Sequence, residues 1–166
     1  MSKAQSKTLI KVALHLCLLI LAYILQALLF THLPLFGVKP LIIPLFVVGA
    51  ALLEGTVPGG TFGLFAGILC DVSFNQPAIQ FTLLLTAIGL IVGMLSETVI
   101  ACSLPSYLLC ALAALLLSAL VQMFGLLFFG GASFGSLLGV LFLQTLYSIL
   151  FAVPVYYLIR YAGRAF

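Results

Sequence analysis

The sequence predicts an all-α integral membrane fold, a single polytopic domain over residues 1–166, and three observations carry that prediction. Of the residues, 65% are hydrophobic and only 5% charged. A soluble domain carries roughly 25% charged residues because its surface has to meet water, so lipid must supply most of the surroundings here. The mean hydropathy is +1.42. The apolar residues also gather into runs of membrane-crossing length, separated by short stretches rich in Gly, Pro, Asn and Ser.

A helix needs about 20 apolar residues to cross roughly 30 Å of hydrocarbon. The segments Leu9 to Leu33, Pro105 to Phe129 and Leu137 to Tyr161 meet that comfortably, and Ala78 to Ser96 just meets it. Breakers bound them: Pro34 and Gly37, Asn75-Gln76-Pro77, Ser103 with Pro105, and Gly130-Gly131. The basic start is reminiscent of a signal peptide. However, the apolar run from Val12 to Phe30 exceeds the roughly 7–15 residues of a signal core, and no A-x-A-like site follows. It reads as a first helix that stays attached.

Between residues 41 and 71 the pattern changes. Two shorter apolar pieces, Leu41 to Leu53 and Phe62 to Cys70, flank Glu54-Gly55-Thr56-Val57-Pro58-Gly59-Gly60. At about 1.5 Å rise per residue, neither piece easily spans a bilayer unaided. They are either two short helices in a thinned, protein-lined region or a re-entrant hairpin. Broken backbone is tolerated at membrane depth only under cover of protein or a wet cavity.

The net charge is +3, from six Lys+Arg against three Asp+Glu. The cations form no patch for nucleic acid. Lys3, Lys7 and Lys11 lie at the N-terminus, Arg160 and Arg164 at the C-terminus, and Lys39 alone between them. The positive-inside rule then places both termini in the cytoplasm and requires an even number of crossings. Four helices plus a re-entrant hairpin satisfy this, as does a six-helix bundle with helices two and three short or broken. Six is the favoured reading, because Glu54 then reaches the cytoplasmic side together with Glu97. Each of these acids is expected to mark a helix end and to pair with a basic neighbour. Asp71 falls near the outer face, on the same side as His32 and Lys39. The remaining loops, of about 5–9 residues by subtraction of such spans, leave no room for a soluble catalytic domain.

Gly55, Gly59, Gly63 and Gly67 recur every fourth residue, and Asp71 continues the series. That spacing keeps successive positions near one helix face, where glycine admits another backbone at close range. Pro58 and Gly60 are expected to break the helix early, leaving Gly63, Gly67 and Asp71 on one helix. Two readings of the face Gly59, Gly63, Gly67 and Asp71 coexist: it packs against the chain's own neighbours, or it receives another protein. Asp71 is either solvated or bonded to a helix end, or it has a functional role as acids near a membrane often do.

Catalytic chemistry finds little support. An aspartyl dyad needs two carboxylates in one site, whereas Asp71 is expected at the opposite face from Glu54 and Glu97. A nucleophile needs a positioned base, and His15 and His32 have no partner motif. Cys17, Cys70, Cys102 and Cys110 show no CxxC spacing and read as small hydrophobes. No phosphate-binding loop, dinucleotide fingerprint or zinc signature occurs, so no cofactor or metal is expected. Gln26, Gln122 and Gln144 read as hydrogen bonds between helices, Pro154 as a kink in the last one, and Tyr147, Tyr156, Tyr157 and Tyr161 as interface anchoring and packing.

The stretch Gly59-Gly60-Thr61-Phe62-Gly63-Leu64-Phe65-Ala66-Gly67-Ile68-Leu69-Cys70-Asp71 resembles the G-F-x-x-G-L-x-x-D signature of the MreD family of rod shape-determining membrane proteins. Here Phe62 precedes Gly63 instead of following it. Pro40, opening the second segment, matches a proline the family often has there, and the likeness in layout covers nearly the whole chain. The resemblance implies a non-enzymatic subunit of the bacterial cell-elongation and peptidoglycan-synthesis machinery. Such a subunit would hold the bitopic shape protein MreC, alongside a SEDS-type glycan polymerase, a class B penicillin-binding transpeptidase and the actin-like MreB filament. It also implies a fold similar to the six-helix S component of energy-coupling-factor vitamin transporters, which supply the rival reading. A ligand pocket of that kind requires several polar side chains in outer loops. The chain offers His32, Lys39, Ser73, Asn75, Gln76 and Ser133, a sparse set.

Overall fold

The computed structural model describes residues 17, 19–24, 26, 41–74, 79–98, 103–130 and 134–164. Five helices follow one another: α1 (Ile43–Glu54), α2 (Thr56–Phe74), α3 (Gln80–Thr98), α4 (Leu104–Gly130) and α5 (Phe134–Arg164). Residues 19–24 and 26 are helical as well, and no strand occurs among the described residues. Among the described residues, three helices are long and apolar enough to cross a membrane, over Gln80–Thr98, Leu104–Phe124 and Leu138–Tyr161, while Ile43–Glu54 and Thr56–Val72 are shorter apolar helices. The exterior is greasy, with Leu83 73%, Leu109 72% and Leu150 70% exposed. In water such a surface would be an aggregation liability.

α2 packs against α3 and α4 against α5, and α1 lies between these hairpins, touching each of α2, α3, α4 and α5. Every residue of α1 from Ile43 to Leu52 is buried. Ala22, Leu41, Leu45, Tyr107, Leu115, Val155 and Ile159 join it in one core cluster. Leu19, Ile43, Val47, Phe62, Ala66, Phe81 and Leu85 form a second.

A helix that begins inside a core must satisfy its first N–H groups locally. Here Ser148 Oγ accepts from Leu41 N at 2.9 Å. Gln26 Oε1 accepts from Ile42 N and Ile43 N, each at 3.1 Å. Pro44, in the first turn, has no N–H to satisfy. Ser148 sits midway along α5, so α1 starts at the mid-height of that helix. The expectation that Gln26 bonds between helices is met, and Gln144 Nε2 donates to Gln122 Oε1 across α4 and α5 at 3.4 Å.

One expectation about the chain break is corrected. Pro58 and Gly60 do not interrupt a helix; both lie inside α2. The break is the single residue Gly55, at φ 93°, a region that favours glycine. Pro58 is harmless because it falls in the first turn, where a missing N–H costs no helical bond. The next N–H, that of Gly59, already bonds Gly55 O at 3.0 Å. Pro154 lies within α5. His15, His32, Lys3, Lys7, Lys11, Lys39, Pro40, Asn75, Gln76, Cys102 and Ser133 lie outside the described residues.

Candidate functional site

The residues singled out from the sequence meet along the seam between α2 and α3. Asp71, near the end of α2, reaches the beginning of α3. Its Oδ1 accepts from Phe81 N at 3.0 Å, and its Oδ2 accepts from Thr82 N at 2.9 Å and Thr82 Oγ1 at 2.6 Å. Free N–H groups and the positive dipole end at a helix start both favour a carboxylate there. At the other end of the hairpin Glu97, near the end of α3, accepts from Thr56 N at 2.8 Å and so caps the start of α2. Each helix therefore carries the acid that caps its neighbour. The basic partner expected for Glu97 is replaced by a backbone donor. Glu54 ends α1 beside the Gly55 break, as a helix-end acid.

Between the two caps the helices touch backbone to backbone. A Cβ on Gly63 would run into the carbonyl of Leu85, and one on Gly67 into Thr82 Cα, with Phe81 O only 2.8 Å away. From the other side, a Cβ on Gly89 would meet the carbonyl of Gly59, and one on Gly93 would lie 2.5 Å from Thr56 Cα and 2.8 Å from Gly55 O. Gly59 is also pressed by α1, its missing Cβ 2.6 Å from Ala51 Cβ. The face of Gly59, Gly63 and Gly67 is thus filled by the chain's own α3 and α1. Small residues are what allow this approach where lipid gives no hydrophobic push between helices.

These contacts obey one rule. Each pairing on α2 recurs on α3 with the residue numbers shifted by 26, so that Gly63 against Leu85 becomes Gly89 against Gly59, and Gly67 against Thr82 becomes Gly93 against Thr56. The caps follow suit, with Asp71 on Thr82 N mirrored by Glu97 on Thr56 N. The sequence carries the same duplication. Thr56–Asp71 aligns with Thr82–Glu97 through Thr56/Thr82, Gly63/Gly89, Leu64/Leu90, Gly67/Gly93 and Leu69/Leu95, and ends in acid in both copies. The hairpin is an inverted repeat about a pseudo-two-fold axis across the seam. Reading only the glycine series of the first copy misses Thr82, Gly89 and Gly93. Comparing GLFAGILCD with GLIVGMLSE finds them.

No family model, curated protein or solved structure matches the chain. Its own geometry is what describes the site. Both oxygens of Asp71 are engaged as acceptors, and the arrangement fixes the spacing and register of two helices. Among the described residues no group of three His, Cys, Asp or Glu is placed to hold a metal ion.

Two buried side chains outside the seam also escaped the sequence reading. Ser148 bonds Leu41 N and donates to Gln144 O at 2.7 Å. Tyr107, fully buried, donates to Leu45 O at 3.2 Å and packs on Tyr156 at 5.1 Å between ring centroids. A lone Ser or Tyr within an apolar run gives no spacing signal that would single it out.

Proposed function

We propose that the chain is a non-enzymatic scaffold subunit of the bacterial cell-elongation complex, akin to the MreD family. In this reading it is a six-helix bundle in the cytoplasmic membrane, with both termini in the cytoplasm. It holds an MreC-like bitopic protein and sits with a SEDS-type glycan polymerase, a class B penicillin-binding protein and MreB. Asp71 then caps the hairpin at the outer side, and Glu97 with Glu54 lies at the cytoplasmic side.

The observation that supports this reading best is where the signature falls. Gly59–Asp71, the stretch that carries the resemblance, forms most of one side of the α2–α3 seam and supplies one of its two caps. A motif with that role fixes a shape, which is what a scaffold requires. Because α3 already occupies the glycine face, the bitopic partner docks on another surface of the bundle.

A vitamin-binding transporter subunit is the second reading, and the start of α1 is where it would place a ligand. Short helices that begin at mid-membrane often aim their N–H groups at a substrate. In this chain those groups go to Gln26 and Ser148 instead. The deciding experiment is affinity purification of a tagged copy from its native membrane in mild detergent, with mass spectrometry of what accompanies it. The scaffold reading expects a bitopic coiled-coil protein and cell-wall synthases. ATPase subunits with a coupling membrane protein, or a tightly held vitamin-like ligand, would overturn it.

A further inference from the structure

The inverted repeat provides an internal control, because the glycine contacts of the seam occur twice while its two caps differ. Gly63 on Leu85 and Gly89 on Gly59 are equivalent, as are Gly67 on Thr82 and Gly93 on Thr56. These four glycine contacts therefore give neither end an advantage. At the Asp71 end the carboxylate takes three hydrogen bonds, from Phe81 N, Thr82 N and Thr82 Oγ1. At the Glu97 end the carboxylate takes the N–H of Thr56. Thr56 Oγ1, the counterpart of Thr82 Oγ1, is buried with no hydrogen-bond partner. Asp71 is half-buried, whereas Glu97 is exposed.

The physical reasons lie in the side chains. Glutamate has one more methylene than aspartate, so more rotamer freedom is lost when it is held in a cap. An unpaired buried hydroxyl adds a desolvation penalty that the other end does not carry. Local opening of a structure begins where such satisfied contacts are fewest.

We infer that this hairpin is latched unequally, closed at its Asp71–Thr82 end and poised to part at its Glu97–Thr56 end, beside the Gly55 break. Parting there uncovers the backbone of Gly55 and Gly93, which is otherwise in mutual contact, and frees the Glu97 carboxylate. The seam then acts as a clasp that opens from one side while the Asp71 end holds register. This inference stands on the hairpin geometry and does not depend on the scaffold reading.

Amide hydrogen exchange of the full chain in lipid nanodiscs tests it, because Thr56 and Thr82 are the same residue at equivalent positions. After correction for intrinsic rates, the Thr56 amide is expected to exchange at least tenfold faster than that of Thr82. Equal rates, or a slower Thr56, would overturn the inference. The paired variants Thr56→Val and Thr82→Val separate the latch from the influence of the chain connections. Thr82→Val deletes a made hydrogen bond, so exchange over residues 80–84 should quicken and the melting midpoint should fall. Thr56→Val deletes an unpaired hydroxyl, so exchange over residues 56–60 should slow or stay the same and the midpoint should not fall. If the two substitutions destabilise equally, the Thr56 hydroxyl is bonded and the latches are equal.

Discussion

Glycines at the same four-residue spacing meet opposite fates in two parts of this molecule. In the α2–α3 hairpin, Gly63, Gly67, Gly89 and Gly93 each lie against the backbone of the facing helix. In α5, Gly135 and Gly139 have nothing within 4 Å of where a Cβ would be. Spacing alone therefore permits close packing without causing it. The sequences differ one step further along. Each seam pair continues, four residues on, into an acid that caps the other helix, Asp71 or Glu97. The α5 pair continues into Leu143. The glycines set how close two helices come, and the acid sets which helix arrives and in what register.

The largest effect should come from filling the seam. Gly67→Leu drives a side chain into Thr82 Cα and Phe81 O, backbone atoms with nowhere to move, and overpacking of this kind reaches about 3 kcal/mol or more. Loss of monodisperse protein on size exclusion in mild detergent, or a sharply lower melting midpoint, is the expected readout. Removing a cap comes next. Asp71→Ala strands three donors at the start of α3 and is expected to cost about 2 kcal/mol, whereas Asp71→Asn keeps the shape and should cost about half of that. Thermal unfolding of the purified variants measures both. Glu97→Gln retains an acceptor for Thr56 N and should cost about 0.5 kcal/mol or less. The comparison sharpens most at the bottom of the scale. Gly139→Ala should not destabilise and should add up to about 1 kcal/mol through helix propensity, seen as an unchanged or raised midpoint.

What the sequence made legible follows from the same physics. Apolar runs and breakers located α3, α4 and α5 to within a few residues, because lipid demands length and apolarity from any spanning helix. The series through Gly63, Gly67 and Asp71 marked a real packing face. Its occupant was not legible from one copy, since glycine spacing records closeness without naming the neighbour. Pro58 and Gly60 were misread as breakers because their effect depends on position, and the start of a helix tolerates them. The full burial of Ile43 to Leu52 was hidden for another reason. Lipid is as apolar as leucine, so a helix enclosed by protein and one facing lipid have similar composition. Gln26, a polar residue within an apolar run, hinted at a buried bond between helices, and Ser148 carried no such signal.

The glycine face is sealed by the chain itself, and the melting of purified, partner-free Gly67→Leu tests that most directly, with Gly139→Leu as its control. At about 2–4 °C per kcal/mol for a chain of this size, Gly67→Leu should lower the midpoint by at least about 6 °C, and Gly139→Leu by no more than about 2 °C. If Gly67→Leu melts with the unaltered protein and loses only its ability to recover partners from the membrane, the face belongs to another protein and the sealed seam is contradicted.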